Sequence, residues 1–438
     1  MNSHRAGRPN GGYGWVVLMS AFVIMSLTLG VLRNMGIFFL DIQSHFEVTN
    51  GTTSGVMSIT CLMFNLGAPV ATELTLQYSQ RVVIIMGGLF AALGLTLSFL
   101  DLGLPWLYFT VGIMEGMGVS FSWTGACSMV SGYFDRRLPI AYGILTTGEP
   151  FGSLLLSFLF QWLLEMYGWQ GTLLIIGGLQ LNVCVCGALM RPREMVQKML
   201  QENADGQENN PTVLPQKRKI HFQFSMIKYP PFFLFILFAV FAGAGILIPP
   251  TFIVPFARSL GADSYWPALI LSVMSFADLV GRLFCGWISN LRLVRTLQLF
   301  PMVVTLQGIM LVLLPISRNY WATMVFATFH GFLLGCLVTL QLIAIVDIVS
   351  QEEFESGLAL LMFVRGVACL SGPLGAGVLA DVLEDYSASF YLAGSSLLVA
   401  AFILVFVDRL VQKRKGRQAD GHQVIDQEDK EKSWETIS

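Results

Sequence analysis

The chain has 438 residues, of which 54% are hydrophobic and only 12% charged, and its formal net charge is −2. A soluble protein carries about a quarter charged residues, so this composition excludes a water-soluble globule and describes a polytopic membrane protein. A charge near zero offers no basic field for nucleic acid.

The first ten residues are polar and lack the basic-then-apolar order of a cleavable signal peptide, so the first span is expected to insert itself. Apolar runs of about 18 residues or more predict twelve spans, near 14–38, 53–76, 82–100, 105–131, 138–164, 170–190, 232–257, 265–289, 297–316, 320–349, 355–382 and 387–408. Glycine and proline punctuate several of them, as at Gly67-Ala-Pro69, Pro249-Pro250 and Gly372-Pro373. Membrane helices tolerate this where neighbours re-satisfy the backbone.

Residues 191–231 are polar and turn-rich and read as a cytoplasmic central linker between two six-span halves, 14–190 and 232–409. Residues 1–13 form a short tail, and 410–438, charged and without apolar periodicity, are expected to be a disordered cytoplasmic tail. Its Lys413-Arg-Lys415 cluster suits anionic lipid. With the N-terminus inside, 21 of the 26 basic residues fall in inner segments and only Arg258 and Arg318 in outer loops. That asymmetry places both termini in the cytoplasm. Asn50-Gly-Thr52 is a glycosylation sequon on the outer side, abutting the second span.

The informative residues are charges inside apolar runs, which cost several kcal/mol unless paired or wet. Asp278 and Arg282 lie four apart in Ser272–Trp287, on one face of a helix. They are either a structural ion pair or part of a substrate or proton pathway. Arg33, toward the outer end of span one, either snorkels or draws anions to the mouth of an outward cavity. It stays protonated and carries no proton itself. Glu115, Glu149 and Arg365 are candidate charge partners or direct contacts to cargo or proton.

Nothing points to catalysis. There is no glycine-rich phosphate loop, no His-Glu-x-x-His, and no pair of the five histidines at ligand spacing. The seven cysteines all lie in apolar runs and suggest neither disulfides nor a metal site. No enzyme, cofactor or metal is expected.

Two strings bring a family into view. Asn10-Gly11-Gly12-Tyr13-Gly14-Trp15 opens span one, and Tyr133-Phe134-Asp135-Arg136-Arg137 with Ala141-Tyr142-Gly143 opens span five. With the Asp278/Arg282 pair, and the short strings Gly286–Asn290 and Gly377–Asp381, the chain resembles the monocarboxylate transporter family of the major facilitator superfamily over nearly its whole length. The resemblance implies an all-α membrane protein with twelve transmembrane helices in two six-helix bundles, the major facilitator fold. It also implies a plasma-membrane carrier of small organic anions such as lactate, pyruvate or ketone bodies, working by alternating access.

By the same resemblance Arg282 binds the substrate carboxylate, Asp278 is linked to proton movement, and a single-span immunoglobulin-like chaperone serves as partner; Arg33, from its position, is expected to attract the anion from outside and so to join Arg282 in binding substrate. The family's lysine position holds Arg33, its first motif begins with Asn10 rather than an acid, and Gly168-Trp169-Gln170 lacks the usual arginine. Three readings therefore stay open. They are proton-coupled monocarboxylate symport, proton-independent carriage of aromatic amino acids, creatine or carnitine, and a non-transporting sensor on the same fold.

Overall fold

The computed structural model describes residues 12–134, 138–191, 229–261, 265–291, 296–316, 319–348 and 354–435. Among them there is no strand. In hydrocarbon every backbone N–H and C=O must be satisfied within the chain, and helices alone do this segment by segment. Ten stretches are long and apolar enough to cross a membrane. One of these, Ile140–Leu189, holds two crossings, broken at Gly168 (φ 66, ψ 179), a backbone state open chiefly to glycine. A further helix fills 104–133, which brings the crossings to twelve.

We label them α1 (Tyr13–Phe46), α2 (Asn50–Gln77), α3 (Gln80–Leu100), α4 (104–133), α5 (138–167), α6 (169–189), α7 (Pro230–Ser259), α8 (Tyr265–Leu291), α9 (296–316), α10 (Tyr320–Ile348), α11 (Phe354–Leu383) and α12 (Ser387–Glu435). An even number of crossings returns the chain to the face it left. That side is called the terminal face below, and the opposite one the far face.

Two bounds differ from expectation. α1 passes the predicted end at 38 through a 3₁₀ turn, Met35–Phe38, and closes at Glu47 in the left-handed region (φ 50). Its last turns are amphipathic, with Phe39 and Ile42 buried, so the alternation with Asp41, Gln43 and Ser44 hid them from a search for apolar runs. α12 continues to Glu435, through the stretch expected to lack structure. Local helix propensity, high in its Lys, Arg, Gln and Glu residues, needs no apolar stripe to be expressed.

Helices approach closely at small residues. A Cβ on Gly281, Gly331 or Gly335 would fall against a backbone carbonyl oxygen across the α8–α10 contact. The two family strings meet at the terminal face. The Trp15 and Phe134 rings stand edge to face at 5.7 Å, Gly14 packs under Phe134 and Tyr133, and the Tyr133 hydroxyl donates to the Arg191 carbonyl at 2.7 Å. Gly12 (φ 62) precedes the first turn, and Gly143 has open space around its Cβ position. Gly11, Arg136 and Arg137 lie outside the described residues.

The largest apolar cluster joins both halves and includes Phe38, Phe39, Phe160, Phe252 and Phe390. Phe39 and Phe252 meet across the divide, while Phe38 packs on Phe160 in the first half and Phe390 on Phe256 in the second.

Candidate functional site

Four charged side chains from three helices form a closed ring between the halves. On α8, Arg282 donates from Nε to Asp278 Oδ1 at 2.8 Å and from Nη2 to Oδ2 at 3.3 Å. From the other half, Glu149 of α5 accepts from Arg282 Nη2 at 2.8 Å, and the Thr146 carbonyl accepts from Nη1. Arg33 of α1 reaches in the same direction: its Nη1 bonds to Asp278 Oδ2 and lies 3.7 Å from Glu149 Oε1. Two positive and two negative groups cancel. Such closure is what lets Asp278, wholly buried, and Arg282, 5% exposed, stay ionised away from water.

Arg33 therefore sits in the ring and not at an outward mouth. With α1 running to Phe46, residue 33 falls within the span and not near its end. Its Nη2 is buried with no hydrogen-bond partner among the described residues.

Beside the ring lies a cavity of about 260 Å³. Its walls come from both halves and include Arg33, Glu149, Arg282 and Arg365, a few neutral polar groups such as Asn65, Thr251 and Gln341, and a mostly apolar remainder such as Phe64, Trp123, Ile246, Val338 and Met362. Arg365, on α11, is the odd charge. It donates from Nε to Asn65 Oδ1 at 3.3 Å and from Nη2 to the Met362 sulfur at 3.6 Å. Among the described residues no carboxylate pairs with it. Counting Asp278 behind the wall, the site holds three arginines against two acids, an excess of one positive charge.

Glu115 does not join this group. It ends a π-helical segment of α4, Tyr108–Glu115, and is fully buried; among the described residues no well-formed hydrogen bond reaches its carboxylate, whose nearest polar neighbour is the Gln180 side chain. The expectation that Glu115 and Arg365 help cancel buried charge by pairing is not met by the geometry.

The far face is closed over the cavity. Asp381, at the end of α11, accepts from the Asn50 backbone N–H, the Asn50 Nδ2 and the Gly51 N–H, each at 2.8 Å, and so caps α2 across the divide. The Tyr386 hydroxyl adds a bond to Asn50 Oδ1 at 3.0 Å. Burial, then the nearby Asp381 carboxylate, push that phenol above its usual pKa and keep it a neutral donor. Below the clamp Phe39 meets Phe252 at 5.3 Å, and Ser153 accepts from the Ser275 hydroxyl at 2.9 Å. The wall residues of the terminal half, such as Trp123 and Gln341, leave the cavity directed the other way.

Sequence reasoning did not single out Asn65, Thr146 or the Asp381–Asn50 clamp. Asp381 and Asn50 each stood in a quoted string, but nothing in either string connects the two. Thr146 acts through a carbonyl that any residue has.

The pattern of the Major Facilitator Superfamily matches residues 14–317 and 269–437. Monocarboxylate transporter 13 of Bos taurus is 32% identical over 403 residues, 92% of this chain and 91% of that protein. Monocarboxylate transporter 4 of Gallus gallus is 31% identical over 409 residues, 93% and 85% of the two chains. The chain belongs to the monocarboxylate transporter family.

A bacterial homologue of the human lysosomal transporter Spinster, solved inward-facing and occupied, superposes with a TM-score of 0.65 at 14% identity, covering 92% of this chain and 97% of that one. At that identity the likeness speaks for the fold alone, the major facilitator fold. This family member is thus a multi-pass membrane transporter of a small molecule, and not an enzyme. Its ring and cavity occupy the divide between two six-helix bundles, where transporters built from repeated halves place their cargo.

Proposed function

We propose that this transporter carries small monocarboxylate anions across the plasma membrane by alternating access, with both termini in the cytoplasm. The observation that supports it is the excess of one positive charge around a small, mostly apolar cavity between the halves. A monoanion makes that site neutral. A zwitterion leaves the excess uncompensated, and a dianion reverses it. Burying net charge at this depth is costly, so the cavity selects by charge as well as by size.

Coupling depends on where the carboxylate lands. On Arg282 it must displace Asp278 or Glu149, and the ring then stays neutral only if a proton joins Asp278. Uptake by that route rises as pH falls on the loading side. A second reading, carriage without a proton, is favoured by Arg365, a cation that the ring leaves free.

The test is flux into liposomes holding the purified transporter, with labelled lactate, 3-hydroxybutyrate, creatine and phenylalanine. Saturable uptake is expected for the two monoanions, each competing with the other. Flux of only the zwitterions overturns the reading, and no flux of any compound from folded protein points to a sensor.

A further inference from the structure

Four of the five N–H donors of Arg282 are engaged. Nε and Nη2 serve Asp278 and Glu149, and Nη1 serves the Thr146 carbonyl. A guanidinium so placed has one N–H left and must lose a charge-assisted bond to grip a carboxylate through two donors, which leaves little net attraction for the cargo. Arg365 differs on each count. It lines the same cavity, and among the described residues its bonds are one long contact to a neutral amide and one to a sulfur, with no partner for Nη1.

Its placement is built as well. α7 approaches α11 at Gly243, where a Cβ would come within 2.8 Å of the Arg365 Cγ, so the glycine makes room for the stem. Asn65, anchored by its own Nδ2 to the Cys61 carbonyl at 2.8 Å, presents Oδ1 to Nε and fixes the plane of the guanidinium. What remains is a planar fork with open donors, the geometry suited to a carboxylate.

We infer that Arg365, oriented by Asn65, is the group that holds the carboxylate of the cargo, and that it does so without a co-transported proton. The inference rests on the monocarboxylate reading above and deepens it, by moving the anchor from α8 to α11. The ring of Arg33, Glu149, Asp278 and Arg282 is neutral as it stands. A monoanion on Arg365 therefore completes the balance of the site with no proton added. Among the described residues the titratable groups facing Arg365 are the thiols of Cys61, from α2, and Cys369, from its own helix, while α7 faces it with Gly243. Buried thiols are neutral near physiological pH and do not alter the count.

The test compares wild type, Arg365→Gln, Arg365→Lys and Asn65→Ala in liposomes, with labelled lactate as cargo and unlabelled lactate or its neutral amide, lactamide, as competitor. Arg365→Gln is expected to raise the KM for lactate about tenfold or more, the loss of one charge-assisted contact, with a smaller change in maximal rate. It is also expected to abolish the preference for lactate over lactamide, a preference that a merely structural role would not touch. Arg365→Lys keeps the charge and falls between. Asn65→Ala raises KM severalfold.

Wild-type KM should be the same at mildly acidic and neutral pH with the membrane potential clamped, and a KM that falls as pH falls overturns the proton-free loading. Wild-type KM and wild-type selectivity in Arg365→Gln overturn the anchor while leaving the monocarboxylate reading intact. If that variant does not fold, unchanged KM in both Arg365→Lys and Asn65→Ala has the same force. If wild type moves no monocarboxylate, the reading of function is what fails. In that case lactate must still raise the unfolding temperature of wild type more than that of Arg365→Lys, or the anchor falls with it.

Discussion

Arg282 stands one helical turn from Asp278 and donates from Nε to its Oδ1 at 2.8 Å, while the other carboxylate oxygen accepts from Arg33 of the opposite half. The pair is thus part of a bridge between the bundles. Removing one member of a buried pair costs about 3–5 kcal/mol, because its partner is left charged and unpaired. Arg282→Gln should lower the unfolding temperature in detergent and depress flux. Adding Glu149→Gln to it leaves only the neutral Arg33–Asp278 pair and should recover part of the lost stability. A double variant no better than the sum of the two singles would argue against the ring.

Arg33 fixes how the ring responds to pH. A guanidinium does not release its proton in water at any ordinary pH, whereas a buried lysine shifts readily toward its neutral form. Arg33→Lys should therefore introduce a pH dependence that wild type lacks. When the lysine loses its proton the ring becomes net negative and repels an anion in the cavity, so flux in the variant should rise as pH falls. The measurement is initial uptake at several pH values with the potential held at zero.

The Asp381 clamp joins α11 to the start of α2 on the far face through three bonds of 2.8 Å. Asp381→Ala leaves those donors to water and should shift the balance toward conformers open at that face. The readout is an impermeant maleimide added at the far face to a Phe39→Cys variant, since Phe39 is fully buried under the clamp. Labelling above the parent protein's background should increase severalfold when Asp381→Ala is added. Unchanged labelling would remove the clamp from the mechanism.

Packing at the ring gives a stability test with its own control. A Cβ on Gly335 would press on the Asp278 carbonyl, the Arg282 amide and the Asp278 carboxylate, whereas one on Gly143 would meet nothing. Overpacking of this kind costs about 1–3 kcal/mol. Gly335→Ala should lower the unfolding temperature and Gly143→Ala should leave it unchanged.

Much of this molecule was legible as sequence, for a physical reason: spanning helices must be long and apolar, and that property is local. The Gly168 break between α5 and α6 fell within the predicted gap from 164 to 170 for the same reason. The spacing of Asp278 and Arg282 also carried its own geometry. What sequence could not carry was the pairing of charges on different helices. Nothing in the strings around Arg33 and Glu149 says that they meet α8, nor that Glu115 stays inside the first half, away from the ring. Arg365 reads in sequence like any other buried arginine, and its unpaired state is visible only when the surroundings of all the charges are known together. The polar last turns of α1 were missed because an amphipathic turn has the composition of a loop, and that misplaced Arg33 toward the rim.

Transport by this protein depends most on a central site that takes one negative charge and no more. The measurement that meets this directly is uptake of labelled 3-hydroxybutyrate, beside labelled creatine, into liposomes in which a potassium gradient sets the membrane potential. The expected result is saturable 3-hydroxybutyrate uptake, accelerated by an inside-positive potential because the anion crosses without a proton, and no creatine uptake. Creatine carried while 3-hydroxybutyrate is not would contradict the account at its centre.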